Sequence, residues 1–134
     1  NQTAHIVISS VYSTNYSDRD NASSFDPYPE KISIHDNRYE GGGNDPDTDY
    51  LPQLKAAVFG EEGSFPNVIW DGFVNPELLV DGKLPAEYQI CIYNEASSAV
   101  FNVDAPNQFA NPRVNETDHQ CRHSPLPAVQ LESF

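Results

Sequence analysis

Short apolar-x-apolar segments, each closed by a turn residue, recur along the chain. HIVISSVY (residues 5–12), KISIHDNRY (31–39), NVIWDGF (67–73) and QICIYNE (89–95) share one order: polar, apolar, any residue, apolar, polar, turn. AVFNVDAP (99–106) is a fifth candidate. Alternation of this kind sends successive side chains to opposite faces of an extended strand. It therefore predicts a strand at each place, with Ile6, Ile32, Val68 and Ile90 in one inward column and Ile8, Ile34, Trp70 and Ile92 in a second. Slipping the third strand by one residue would bury Ile69 and Asp71 instead, and an unpaired buried carboxylate is the costlier choice. Asn37, Gly72 and Asn94 follow their strands, where a tight corner favours residues that tolerate a left-handed backbone. Only QLKAAVF (53–59) offers a helical turn or two.

The first four segments start at His5, Lys31, Asn67 and Gln89, intervals of 26, 36 and 22 residues. The shortest interval is about one turn of a β-solenoid, and the longer ones accommodate inserted loops. One strand with two apolar side chains buries little by itself, whereas stacked coils share a continuous core. The expected fold is all-β, a solenoid in residues 1–106 with inserted loops at 13–30 and 41–66. A Pro-rich tail, 107–134, would pack on it. A β-sandwich is the alternative built from the same short strands. With 134 residues the chain is expected to be one domain or a piece of one, and its 11 prolines and 7 glycines suit a turn-rich structure.

Charge narrows the partners. Twenty Asp and Glu against seven Lys and Arg give a net charge of −13, which argues against nucleic acid, since that affinity depends on cations displacing phosphate counterions. Cations, basic proteins and neutral glycans fit the field better. No apolar run of about 18 residues is present, so no transmembrane segment is expected. The chain enters HIVIS without a leader, which reads as a mature fragment.

HIVISSVYST and KISIHDNRYEGGG resemble coils of right-handed parallel β-helix proteins. VIWDG, YQICIYNE, FNVDAP and DHQCRHSPLP are similar to the C-terminal part of a bacterial family of exported β-helix proteins of unassigned function. The resemblance covers most of the chain. It implies missing N-terminal β-helix coils, or a neighbouring chain covering the first coil, and a periplasmic, cell-envelope or extracellular location. Members are often encoded beside a dihaem c-type cytochrome, which implies a cytochrome assembly as one partner. No C-x-x-C-H occurs, so covalent haem attachment is not expected.

Three sets of residues carry candidate chemistry. Outward positions after the second apolar column are Ser9, His35, Asp71 and Tyr93. His35 with Asp71 and Tyr93 would supply a base, its orienting carboxylate and an acid, the set expected of a polysaccharide lyase or epimerase, although no basic groove for a substrate carboxylate is evident. Asp36 is assigned to the turn. Asp45, Asp47 and Asp49 alternate in NDPDTD and offer oxygen ligands for calcium; an EF-hand is excluded, because its sixth and twelfth positions hold Tyr50 and Ala56. His119 and His123 flank Cys121 in a metal-like cluster that Cys91 could complete. In an exported protein Cys91 and Cys121 are instead expected to form a disulfide, pinning the returning tail across the face of its strand. Asn1, Asn15, Asn21 and Asn115 stand in N-x-S/T sequons. The leading function is an exported, non-catalytic binding or structural module, glycan-binding or part of a larger envelope assembly. A lyase or epimerase and an accessory subunit of a periplasmic cytochrome assembly are the alternatives.

Overall fold

A computed structural model describes residues 3–14, 24–46 and 49–130. Six three-residue strands form: β1 (Ile6–Ile8), β2 (Ser33–His35), β3 (Val68–Trp70), β4 (Cys91–Tyr93), β5 (Val100–Asn102) and β6 (Arg113–Asn115). One helix, α1, spans Leu51–Phe59. The first five strands lie where the apolar alternation places them. Their pairing is different. β1, β3 and β5 run parallel in one sheet that β6 extends antiparallel, in the order β1-β3-β5-β6, while β2 and β4 form a separate parallel pair.

The expected all-β, right-handed parallel β-helix fragment is therefore corrected to a mixed α/β arrangement. Among the described residues there is no closed or solenoid sheet. Strands that follow one another from β1 to β5 belong to different sheets, α1 interrupts the β content, and β6 reverses direction. The β-sandwich alternative fails on the parallel pairing within both sheets. The physical reason is that a period-2 pattern fixes which side of a strand is apolar and leaves its partner open. Each predicted column is thus split: Ile6 pairs with Val68, and Ile8 with Trp70, while Ile34 pairs with Ile92 across the other sheet.

The inward faces nevertheless meet. Ile8, Val68, Trp70 and Val100 from the larger sheet pack with Ile34, Ile90 and Ile92 in one buried cluster. Successive residues of β3 and β5 point to opposite faces, and the far face carries a second cluster of Ile69, Phe101 and Val103 with Leu51 and Phe65. Segment 41–66, expected as a surface loop, supplies this cover through α1. Pro52 sits in the first turn of α1, where its missing N–H costs nothing. Phe101 is fully buried, with Phe59 edge-on at 5.1 Å and Phe65 stacked at 5.3 Å. Lys55 is buried beneath the loop after α1 and donates to the carbonyls of Glu61 and Gly63 at 2.7 and 2.6 Å, so its ammonium replaces water with two charge-assisted bonds. None of the described helices is long and apolar enough to cross a membrane.

Candidate functional site

β2 and β4 end side by side, and their last residues, His35 and Tyr93, are register partners on the solvent face. Neighbouring strands lie about 4.8 Å apart, and the two rings stack at that separation, with centroids 4.6 Å apart and planes 12° from parallel. Both strands then turn through left-handed residues at matched positions, Asp36 (φ 56°) and Asn94 (φ 53°). Asn94 is where a corner was expected; the other corner falls on Asp36, one residue before Asn37. That turn brings the Asp36 carboxylate back to His35, whose Nδ1 meets Asp36 Oδ2 at 2.6 Å. The bond from His35 holds the Asp36 carboxyl below the usual carboxylate range, with Asn94 and Arg122 adding to the effect. Since a carboxylate only accepts, Nδ1 carries the proton and Nε2 of neutral His35 keeps its lone pair.

Asn37 locks the two turns together. Its side-chain amide donates to Glu95 Oε1 at 2.6 Å and to the His35 carbonyl at 3.0 Å. Nearby, burial and then the Glu95 carboxylate push the Tyr39 phenol up to about 12.

The C-terminal tail forms the other wall. His119 Nδ1 donates to the Ile90 carbonyl and His123 Nε2 to the Gln89 carbonyl, each at 2.8 Å. Between them Cys121 is bonded to the fully buried Cys91. Burial lowers the His119 pKa, against smaller opposing effects of its bond to Ile90 and of Asp118. The H-x-C-x-H segment is therefore a fastening: the sulfurs are in a disulfide and one nitrogen of each imidazole is given to a backbone carbonyl. Among the described residues no group of three or more His, Cys, Asp or Glu is placed to hold a metal ion. Asp45 and Asp49 are described, but Asp47, the middle residue of the candidate calcium loop, lies outside the described residues, as do Asn1, Asn15 and Asn21.

Strand face and tail enclose a cleft of about 840 Å³, lined by Lys31, His35, Asp36, Tyr93 and Arg122 among others. The Arg122 guanidinium lies over the Tyr93 ring at 4.9 Å from its centroid. Asp71, expected beside His35, is elsewhere. It lies just past β3 in the other sheet, nearly buried, and accepts from Ser10 N at 2.5 Å, Ser13 Oγ at 2.6 Å and Phe73 N at 3.1 Å. Its work is to staple the turn after β1. It also borders a second cavity, of about 510 Å³, rimmed by Tyr12, Tyr50, Phe73 and Phe109. Of the expected catalytic set only His35 and Tyr93 are brought together, and the carboxylate at His35 is Asp36. Sequence reasoning missed Lys31 and Arg122. Arg122 had a usable signal: its neighbour Cys121 bonds Cys91, two residues before Tyr93.

Comparison with known proteins returned no matching family model, no matching curated protein and no matching solved structure, so none of them identifies the β-helix repeat family that the sequence resembles.

Proposed function

We propose that the chain is an exported, non-catalytic carbohydrate-binding module whose ligand lies in the cleft on the outer face of β2 and β4. The observation that carries this reading is the in-register His35–Tyr93 stack, two ring side chains held on the solvent side of a strand pair at the mouth of a roughly 840 Å³ cleft. A face whose rings are spent on solvent, with several polar groups converging, has the make-up of a ligand site. Side-chain exposures of 45% for His35 and 62% for Asp36 suit reversible binding in water better than chemistry that depends on exclusion of solvent. The disulfide supports an oxidising compartment.

The test is a glycan panel titrated into the ¹⁵N-labelled chain, repeated with His35→Ala/Tyr93→Ala. A saccharide that binds the wild type and not the double variant is expected. Binding to no glycan, or binding unchanged in the double variant, overturns the reading. One observation favours a second reading, a lyase-type enzyme: the 2.6 Å bond to Asp36 leaves His35 Nε2 as a base. Unsaturated product formed from a uronate polymer by the wild type and not by His35→Ala would establish it.

A further inference from the structure

The tail wall is tied to the β4 segment at alternate positions, His119, Cys121 and His123, by a hydrogen bond, a disulfide and a hydrogen bond. Between the last two ties sits Arg122, exposed and lying over Tyr93. Lys31 lines the same cleft, its left-handed backbone (φ 53°) tied by its N–H to the Tyr88 carbonyl at 3.1 Å. Two of the chain's seven Lys and Arg thus line one cleft, together with two carboxylates, Asp36 and Glu87. That is formal balance, in a chain whose acids outnumber its bases 20 to 7. Asp36 is engaged mainly by His35 and only secondarily by Arg122, and the Lys31 ammonium lies over the Tyr88 ring at 5.0 Å.

Resting on the glycan-binding reading above, we propose that Arg122, held over Tyr93 by the Cys91–Cys121 bridge, makes this cleft select sugar residues that carry a carboxylate. A guanidinium matches a carboxylate with two parallel N–H donors, whereas a neutral hydroxymethyl at the same carbon offers it one oxygen and no charge. The ring edges of His35 and Tyr93 remain for sugar hydroxyls, and the Lys31 ammonium, over the Tyr88 ring, adds positive charge to the cleft wall at longer range. The bridge matters because a tail held by two single hydrogen bonds would no longer fix the guanidinium in place.

The experiment compares a uronate trisaccharide with its carboxyl-reduced, neutral counterpart by calorimetry, using the wild type, Arg122→Ala and Arg122→Lys, at low and high salt. Arg122 is exposed, so these variants keep the fold. The wild type is expected to prefer the uronate by up to about fivefold at low salt, as for an exposed ion pair, with the preference shrinking as salt rises, disappearing in Arg122→Ala and falling in Arg122→Lys. Reduction of the bridge by a phosphine, in which the phosphine takes the oxygen of water to become its oxide and the water's two protons complete the two thiols, is expected to erase the preference while the indole signal of the buried Trp70 persists. Equal affinity of the wild type for the two saccharides, or a preference that survives Arg122→Ala, overturns the proposal and leaves glycan binding standing. A preference unchanged by reduction overturns the role given to the bridge. Failure of both saccharides to bind the wild type overturns the glycan reading itself. A sulfated neutral trisaccharide binding as tightly as the uronate would replace carboxylate selection by general oxyanion recognition.

Discussion

Asp71→Ala separates a staple from a catalyst. The carboxylate accepts three hydrogen bonds, from Ser10 N (2.5 Å), Ser13 Oγ (2.6 Å) and Phe73 N (3.1 Å), and Ser10 is itself 1% exposed. Removing the acceptor leaves a buried N–H unmet, which costs about 1–3 kcal/mol, and bonds to a charged group contribute about 1.5–3 kcal/mol each. Because the three share one side chain they do not add, and a total of about 3 kcal/mol is expected. Unfolding entropy of about 2.1 cal/mol/K per residue amounts to roughly 280 cal/mol/K for this chain, so the melting temperature should fall by about 11 °C. Calorimetry measures the shift, and a titration below the new melting temperature measures ligand binding, which should be unchanged. A shift under about 3 °C would refute the staple. A normal melting temperature with binding abolished would restore Asp71 to the site.

Three further outcomes follow from the same packing. Phe101→Ala removes the ring between Phe59 and Phe65 and should cost about 3–5 kcal/mol in denaturant unfolding. Lys55→Met keeps most of the buried stem but orphans the Glu61 and Gly63 carbonyls, so stability should drop by about 1–3 kcal/mol, with faster amide exchange confined to the loop after α1. Burial sets the folded pKa of His119 below its unfolded value near 6.5; below about pH 6.5 the unfolded chain takes up a proton that the folded chain resists. Its contribution to stability is therefore complete above that pH and lost as pH falls, with a slope of at most about 1.4 kcal/mol per pH unit. His119→Gln should remove this slope, measured as the difference between wild-type and variant denaturation midpoints across pH 5–7.5.

What the sequence made legible is local. Alternation located β1 to β5 and one buried face of each, including that of Trp70, but not that β3 and β5 are buried on both faces, which takes Ile69 and Asp71 out of the water as well. Nothing in that alternation distinguishes Val68 as the partner of Ile6 from Ile32, which lies in the other sheet, and the fold class was misjudged at that point. β6 is short and half exposed, so Arg113–Asn115 carries no apolar signal within the Pro-rich tail. The site was half legible. His35 and Tyr93 stand in one expected column with Asp71 between them, whereas they are direct register partners, and the carboxylate at His35 depends on a turn conformation: a left-handed Asp36 folds its carboxylate back, a geometry that composition does not specify. Asp71 holds the equivalent sequence position just past β3, but in the other sheet and buried.

The most direct measurement is amide chemical-shift mapping of the ¹⁵N-labelled chain with the uronate trisaccharide. Saturable shifts centred on Lys31, His35, Tyr93 and Arg122, absent in His35→Ala/Tyr93→Ala, are predicted. Shifts centred instead on the cavity rimmed by Tyr12, Tyr50, Phe73 and Phe109, or no saturable shifts, would contradict the assignment of the binding site to the outer face of β2 and β4.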